Sequence, residues 1–262
     1  RAFSRLAQVP ANIESNFITA LILFFILDPV KNPSSLIILV LAGIIAMGSK
    51  YILALSHKHI FNPAAISVFI LGVIGVGGGT WWVANPALTI FTAVIGFLIV
   101  RKIRKFSMFF SFALAAICAM LVFGLISRIN PLETLLQAFT SWPLLFFGTV
   151  MLTEPMTIPP TRRLQIIYAV MTGILFGSQF NFGIIYSTPE LALITGNIFS
   201  FIVSPKYRFQ LTLKDKIQIS PTTSEFIFMS PKKIMFKAGQ YLEWTLPHKH
   251  TDLRGMRRFF TI

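Results

Sequence analysis

The sequence predicts a multi-pass α-helical membrane protein of about eight spans, followed by a partial antiparallel β-barrel. Hydrophobic residues make up 55% of the 262 residues and charged residues 12%, with a mean hydropathy of +0.73. Soluble domains are roughly a quarter charged. At Ser204-Pro205, long apolar segments give way to short alternating ones, which are typical of strands. We therefore expect a membrane domain at 1–205 and a second domain at 206–262.

Eight apolar segments are predicted to cross the membrane and to contact lipid. Several approach the roughly 20 residues that a spanning helix needs. The predicted spans lie near 16–27, 34–55, 63–76, 86–100, 106–127, 132–152, 164–177 and 189–204.

The net charge of +14 is explained by membrane topology. With the N-terminus inside, the outer loops hold only Lys31 and Arg128. The cytoplasmic ends hold the basic residues Arg1, Arg5, Lys50, Lys58, Arg101, Lys102, Arg104, Lys105, Arg162, Arg163, Lys206 and Arg208. This bias predicts a cell-membrane protein whose N-terminus and C-terminal domain are cytoplasmic. It does not predict a nucleic-acid partner.

A proline pattern recurs in two halves of four spans each. Asn32-Pro33 and Asn130-Pro131 precede the second and sixth spans, while Asn62-Pro63 and Glu154-Pro155 precede the third and seventh. Such a pair before a short span predicts a helix that begins within the membrane, where its backbone must be buried in protein or line a cavity. Four spans return the chain to its starting side, which predicts parallel repeats. We expect a ligand site between the halves.

The tail is patterned as strands. Residues 208–219, 225–229 and 241–246 alternate apolar and polar side chains between prolines. This predicts short antiparallel strands of a barrel or sandwich. The tail is too short for a typical six-stranded barrel, so we expect more chain after Ile262.

Histidine and cysteine positions argue against two kinds of cofactor. His57 and His59 lie in a predicted loop, and His248 and His250 lie in the tail. No histidine pair inside the membrane is available as axial ligands, so haem is not expected. Cys118 is the one cysteine, so these residues cannot supply a cysteine-ligated iron–sulfur cluster. No metal site is predicted.

Polar residues of the membrane domain fall into groups, which in membranes usually face a cavity or pathway. Asn62 lies before the third span and Asn197 interrupts the eighth. The group before the seventh span comprises Thr153, Glu154, Thr157, Thr161, Arg162 and Arg163. A helix N-terminus with hydroxyl and guanidinium groups suits an anionic or hydrogen-bond-rich ligand. A flavin ring and a transported solute both fit this description.

Two motifs in these groups resemble a known family. His59-Ile60-Phe61-Asn62-Pro63-Ala64-Ala65 and Thr153-Glu154-Pro155-Met156-Thr157-Ile158-Pro159, with Asn197 downstream, are similar to the RnfD/NqrB family of membrane oxidoreductase subunits. The resemblance implies a duplicated, urea-transporter-like fold and a flavin, FMN or riboflavin, near Asn62, Glu154, Thr157 and Asn197. Family members attach FMN to the Thr of a Ser/Asp-Gly-Ala-Thr tetrad. Because no such tetrad occurs here, we expect non-covalent flavin.

The tail resembles the start of a ferredoxin-reductase-type FAD-binding domain. Phe236-Lys237-Ala238-Gly239-Gln240-Tyr241 is similar to its third strand, and Arg258-Phe259-Phe260-Thr261 to its Arg-x-Tyr-Ser/Thr motif. The resemblance implies that Arg258 pairs with the FAD phosphates, Phe260 lies against the flavin ring and Thr261 bonds near N5. A guanidinium suits phosphate and an aromatic face suits a flavin ring. The nicotinamide-binding domain that follows in that family is absent from these residues.

Together the motifs predict an NAD(P)H-dependent flavin oxidoreductase. Cytoplasmic FAD would pass electrons to a flavin in the membrane domain and on to a quinone, an extracytoplasmic flavoprotein or a metal. Two alternatives remain open: a solute channel or transporter of urea-transporter-like fold with a regulatory soluble domain, and a non-catalytic membrane subunit that docks a partner.

Overall fold

The computed structural model describes residues 13–55, 58–183, 185–204, 210–231, 233–236, 241–245 and 257–261. Contacts divide the chain into two compact units, Arg1–Pro205 and Lys206–Ile262, and the boundary coincides with the change in sequence pattern. Several residues of the sequence analysis lie outside the described part: Arg1, Arg5, His57, Lys206, Arg208, 237–240, His248, His250 and Ile262.

The first unit is helical. Its helices are α1 Ile13–Ile26, α2 Pro33–Ile52, α3 Pro63–Val73, α4 Pro86–Ile103, α5 Phe106–Ile126, α6 Pro131–Thr140, α7 Leu144–Phe146, a π-helix at Phe147–Met151, α8 Arg162–Gly177 and α9 Pro189–Val203. Two short hairpins join helices: β1 Ala54–Leu55 with β2 Lys58–His59, and β3 Asn181–Phe182 with β4 Ile185–Tyr186. Each predicted span thus contains a helix.

Three of the described helices, α2, α4 and α5, are long and apolar enough to cross a membrane. A fourth candidate is the bent pair Pro131–Thr140 and Leu144–Met151, which turns by 59° at Ser141-Trp142-Pro143. These helices indicate a membrane protein. The other predicted spans contain shorter helices, so eight crossings and a parallel repeat stay predictions.

Asn-Pro pairs begin helices in this unit. Asn32, Asn62, Asn85 and Asn130 are N-caps whose side-chain oxygens accept backbone N–H groups, and each is followed by proline at the first helical position. Proline is favoured there because its missing N–H would have no intrahelical acceptor. Glu154-Pro155 behaves differently from its predicted counterpart Asn62-Pro63. It lies in an irregular segment, and α8 begins only at Arg162, with Thr161 as its N-cap.

The core is built where α5, α8 and α9 pack in sequence and where α3 contacts both α2 and α9. Close contact of α5 with α8 depends on glycine. A Cβ at Gly173 would lie 2.6 Å from the carbonyl oxygen of Phe112. Outward-facing apolar side chains such as Ile90 and Leu114, 72% and 67% exposed, form the surface expected to contact lipid.

Loops predicted to be cytoplasmic meet at one end of the helical unit. His59, after α2, contacts Glu154, before α8. Lys105, between α4 and α5, donates to the side chain of Gln165 in the first turn of α8 at 2.9 Å. The orientation of this end in the membrane stays a prediction.

The second unit contains two described antiparallel sheets of two strands each. β5 Thr212–Ser220 pairs with β6 Thr223–Met229, and β7 Tyr241–Thr245 pairs with β8 Arg257–Thr261. Trp244 of β7 contacts Phe228 of β6, with ring centroids 4.8 Å apart, so the two hairpins share an aromatic contact. The antiparallel prediction is confirmed for the described strands, which form a partial sheet domain and not a closed barrel.

Candidate functional site

A buried hydrogen-bonded cluster connects α3, α8 and α9. The backbone N–H of Asn62 donates to Oδ1 of Asn197 at 2.8 Å. Nδ2 of Asn197 in turn donates to the hydroxyl of Tyr168 over a longer 3.4 Å. Asn62, Asn197 and Tyr168 are at most 1% exposed. Buried polar groups need such partners, because an unpaired one loses its hydration without compensation. We call these three residues the asparagine cluster.

The asparagine cluster lies within the depth of the helical unit. Asn197 is the ninth of the 15 residues of α9, so α3 begins beside the middle of α9. The first turn of α3 is enclosed by protein, with Pro63, Ala64 and Ala65 all buried. The start of α3 is therefore buried in protein, and its position inside the membrane stays a prediction.

His59 and Glu154 form a partly exposed pair close to this cluster, which we call the rim. Nε2 of His59 lies 3.2 Å from Oε1 of Glu154, and these side chains are 12% and 24% exposed. Thr157 donates its hydroxyl to Oε2 of Glu154 at 3.2 Å. Both carboxylate oxygens are therefore directed by protein donors, and the two predicted motifs come into contact through their side chains.

Lys50 adds positive charge near this rim. Its ammonium group donates to the carbonyl and hydroxyl oxygens of Ser15 at 2.9 Å and to the side chain of Asn16 at 3.3 Å. It also interacts electrostatically with Glu154. Lys50 thus holds the start of α1 against the end of α2.

Two predicted site residues lie apart from the asparagine cluster. Thr161 caps α8 by accepting the backbone N–H of Leu164 at 3.4 Å. Arg162 follows it, and both side chains are exposed. Their position at the helix N-terminus is as predicted, but the described contacts do not connect them to Asn62 or Asn197.

One hydroxyl beside the asparagine cluster has no partner. Oγ1 of Thr172 is buried and makes no hydrogen bond. It lies one helical turn from Tyr168, and a Cβ at Gly196 would lie 2.5 Å from it. A buried donor without a partner is unusual, since native proteins satisfy nearly all such groups.

In the second unit, the described part of the predicted FAD motif lies on β8. Phe260 is 51% exposed and contacts Trp244 edge-on, with ring centroids 6.0 Å apart. Thr261 is exposed and opposite Tyr241 in the antiparallel register. Arg258 pairs with Trp244 through the backbone, and its side chain lies outside the described part. Of the predicted segment 236–241, Tyr241 is the residue that this strand pairing includes.

The hydrogen-bonding groups of the asparagine cluster and of the neighbouring Thr172 are of the kind that suits the polar edge of a flavin ring. Amide, phenol and hydroxyl groups from Asn197, Tyr168 and Thr172 supply donors and acceptors, and the Thr172 hydroxyl is unused. The partly exposed pair of His59 and Glu154 is the accessible side of the group. Two cavities among the described residues lie elsewhere, beside Trp142 and beside Glu190. The match to a flavin therefore concerns the hydrogen-bonding groups and not the position of a cavity.

Sequence reasoning missed Tyr168, Lys50 and the role of His59. The motif containing His59 was the available signal, because its histidine stands three residues before Asn62. Tyr168 and Lys50 lie in predicted spans, and a polar side chain within an apolar run indicates a buried partner.

No family model matches the chain, and no curated protein or solved structure matches it. The resemblance to the RnfD/NqrB family and to ferredoxin-reductase-type domains therefore depends on the quoted motifs alone.

Proposed function

We propose that this chain is the membrane part of an NAD(P)H-dependent flavin oxidoreductase. Electrons would pass from NAD(P)H through FAD on the second unit to non-covalent FMN or riboflavin in the helical unit, and on to a membrane or extracytoplasmic acceptor. The observation that carries the proposal is the meeting of both membrane motifs. His59 reaches Glu154 across 95 positions of sequence, and Asn62 reaches Asn197 across 135.

Flavins supply the required chemistry when bound, because they accept a hydride and release electrons one at a time. The residues of the helical unit would hold and orient such a ring. Asn197 is fixed by the backbone of Asn62, so its amide has one orientation. Glu154 is fixed by Thr157 and His59. Groups held in this way need little rearrangement when a ligand binds, which favours affinity.

The second unit supports the proposal through the β7–β8 pairing. Phe260 offers an exposed aromatic face, and Thr261 offers an exposed hydroxyl one residue further along the strand. An aromatic face suits stacking with a flavin ring. Arg258 lies on the same strand, and a guanidinium suits the phosphates of FAD.

Cofactor extraction from the purified chain tests this proposal. The protein in detergent should absorb near about 450 nm, as oxidised flavins do, and denaturation should release FAD together with FMN or riboflavin. Asn197→Leu should remove the smaller flavin and leave FAD, whereas Arg258→Ala should do the reverse. Asn181→Ala, at an exposed position, is the matched control. A folded, colourless preparation would overturn the proposal, and solute uptake by proteoliposomes would favour the transporter alternative.

A further inference from the structure

A cleft of about 130 Å³ lies between α3, the glycine-rich loop after it and the segment that leads into α9. Val68, Phe69 and Gly72 form its apolar wall, and Thr188 and Glu190 form its polar wall. The 11 residues of α3 rise about 1.5 Å each. The α3 residues that line the cleft follow Asn62 by 6 to 11 positions, which places them about 9–16 Å from it along the helix, away from the asparagine cluster.

Glu190 is the buried acid of this cleft, with 3% of its surface exposed. Nε1 of Trp81 donates to its Oε1 at 2.8 Å. A Cβ at Gly79 would overlap that carboxyl oxygen and lie 2.7 Å from Nε1 of Trp81. Glycine at position 79 therefore leaves the space in which the carboxyl group sits.

Within the described residues, no lysine, arginine or histidine lies within ion-pair distance of Glu190, and His59–Glu154 is the one ion pair found there. Its partners are neutral donors: Trp81, the hydroxyl of Thr188 and its own backbone N–H. A buried carboxylate without a cation is costly, and in membranes such groups mark ion or proton sites.

The surroundings hold few other titratable groups. The described residues of α3 and of the loop at 74–85 contain none. Those on neighbouring elements are Tyr186 in β4, Glu14 in α1, Asp28 and Lys31 in the turn after α1, Lys50 and Tyr51 in the last turn of α2, and Arg162, Arg163 and Tyr168 in the first half of α8. Among the described residues, none of these groups forms an ion pair with Glu190.

We propose that Glu190 is a proton-binding site that exchanges with the solution through this cleft. The carboxylate takes one proton from water to become a neutral acid and returns it in the reverse step, and no electron moves. Val73, Gly78 and Tyr186 line the cleft and are exposed, so it opens to the surface. The site is independent of flavin and needs no part of the proposed electron path.

Labelling with dicyclohexylcarbodiimide tests the site in the intact chain. This apolar reagent attacks protonated carboxylic acids and forms a stable N-acylurea, which mass spectrometry locates on the peptide. Wild-type protein should carry the adduct on Glu190. Its rate of formation should fall by about tenfold per pH unit once the carboxylate is the main form. Trp81→Phe removes a donor that favours the carboxylate, so it should extend labelling to higher pH.

Glu133 provides the matched control, because it is exposed in the first turn of α6. Glu133→Gln should leave the adduct on Glu190 unchanged, and Glu190→Gln should abolish it. Since the wild-type adduct is mapped directly, the result does not depend on how well a variant folds. An unlabelled Glu190 in folded protein at all pH values would overturn the proposal. Protection by Na⁺, K⁺ or Li⁺ at constant pH and ionic strength would also overturn it, in favour of a metal-cation site.

Discussion

The backbone N–H of Asn62 donates a buried hydrogen bond of 2.8 Å to the side-chain Oδ1 of Asn197. The donor is the N-cap of α3, whose own side chain accepts the N–H groups of Ala64 and Ala65. One asparagine thus begins the helix, and the other fixes where that helix begins against α9. The pair sets the relative depth of two helices from opposite halves of the sequence.

Asn197→Ala should destabilise the helical unit by about 1–3 kcal/mol, because it leaves the buried N–H of Asn62 without an acceptor. Tyr168→Phe should cost less, under about 1 kcal/mol, since the contact between its hydroxyl and Asn197 is long and weak. Unfolding of the two variants in one detergent measures the difference. Asn181→Ala serves as the exposed control. Equal midpoints for Asn197→Ala and this control would contradict the role of the bond.

Gly173→Ala should separate α5 from α8. The added Cβ would lie 2.6 Å from the carbonyl oxygen of Phe112 and 3.0 Å from Cβ of Ala115. Backbone atoms of a packed helix cannot yield locally, so we expect a loss of about 1–3 kcal/mol. Gly43→Ala in α2 is the matched control, because a Cβ there meets nothing within 4 Å. It should gain up to about 1 kcal/mol from helix propensity. Thermal unfolding of both variants checks the contrast, and equal shifts would contradict it.

Lys105 should make the stability of the protein depend on pH in the alkaline range. Burial lowers the pKa of Lys105 below its ordinary value, so over the window between the two values the unfolded chain binds more protons than the folded one. Stability should therefore rise with pH across that window, up to about pH 10. Lys105→Met should flatten the rise, and Lys102→Met, at an exposed position, should leave it unchanged. Denaturant unfolding at several pH values measures the slope, and parallel curves for wild type and Lys105→Met would refute the prediction.

Helix positions are largely predictable here because each signal is local. Asn130-Pro131 predicts the start of α6, since an N-cap and a proline act on the next turn alone. Glu154-Pro155 is a similar dipeptide, but no helix begins at it. Its carboxylate is engaged by His59 and Thr157, and α8 starts at Arg162.

Contacts between residues that are far apart in the sequence cannot be predicted from local sequence patterns. The motifs predict that Asn62, Glu154, Thr157 and Asn197 belong together, but not which atoms meet. Tyr168 joins them because α8 packs on α9, and that packing depends on small residues such as Gly196. The bend after α6, by contrast, falls at Ser141-Trp142-Pro143, where the proline is a local cause.

Phe260 and Arg258 should contribute separately to the second unit. Phe260 contacts Trp244 in an edge-on geometry that stabilises aromatic pairs by about 0.5–1.5 kcal/mol, so Phe260→Ala should lower both the stability of the β7–β8 hairpin and FAD binding. Phe260→Tyr keeps the ring and should keep both the stability of the hairpin and FAD binding.

Arg258→Ala should weaken FAD binding in a salt-dependent manner, because a guanidinium acts on phosphate by charge. Arg257→Ala carries the same charge change outside the predicted motif and is the control. FAD titration by fluorescence at two salt concentrations distinguishes these cases. Equal effects of Arg258→Ala and Arg257→Ala would show that only the net charge of β8 matters, which would refute the motif assignment.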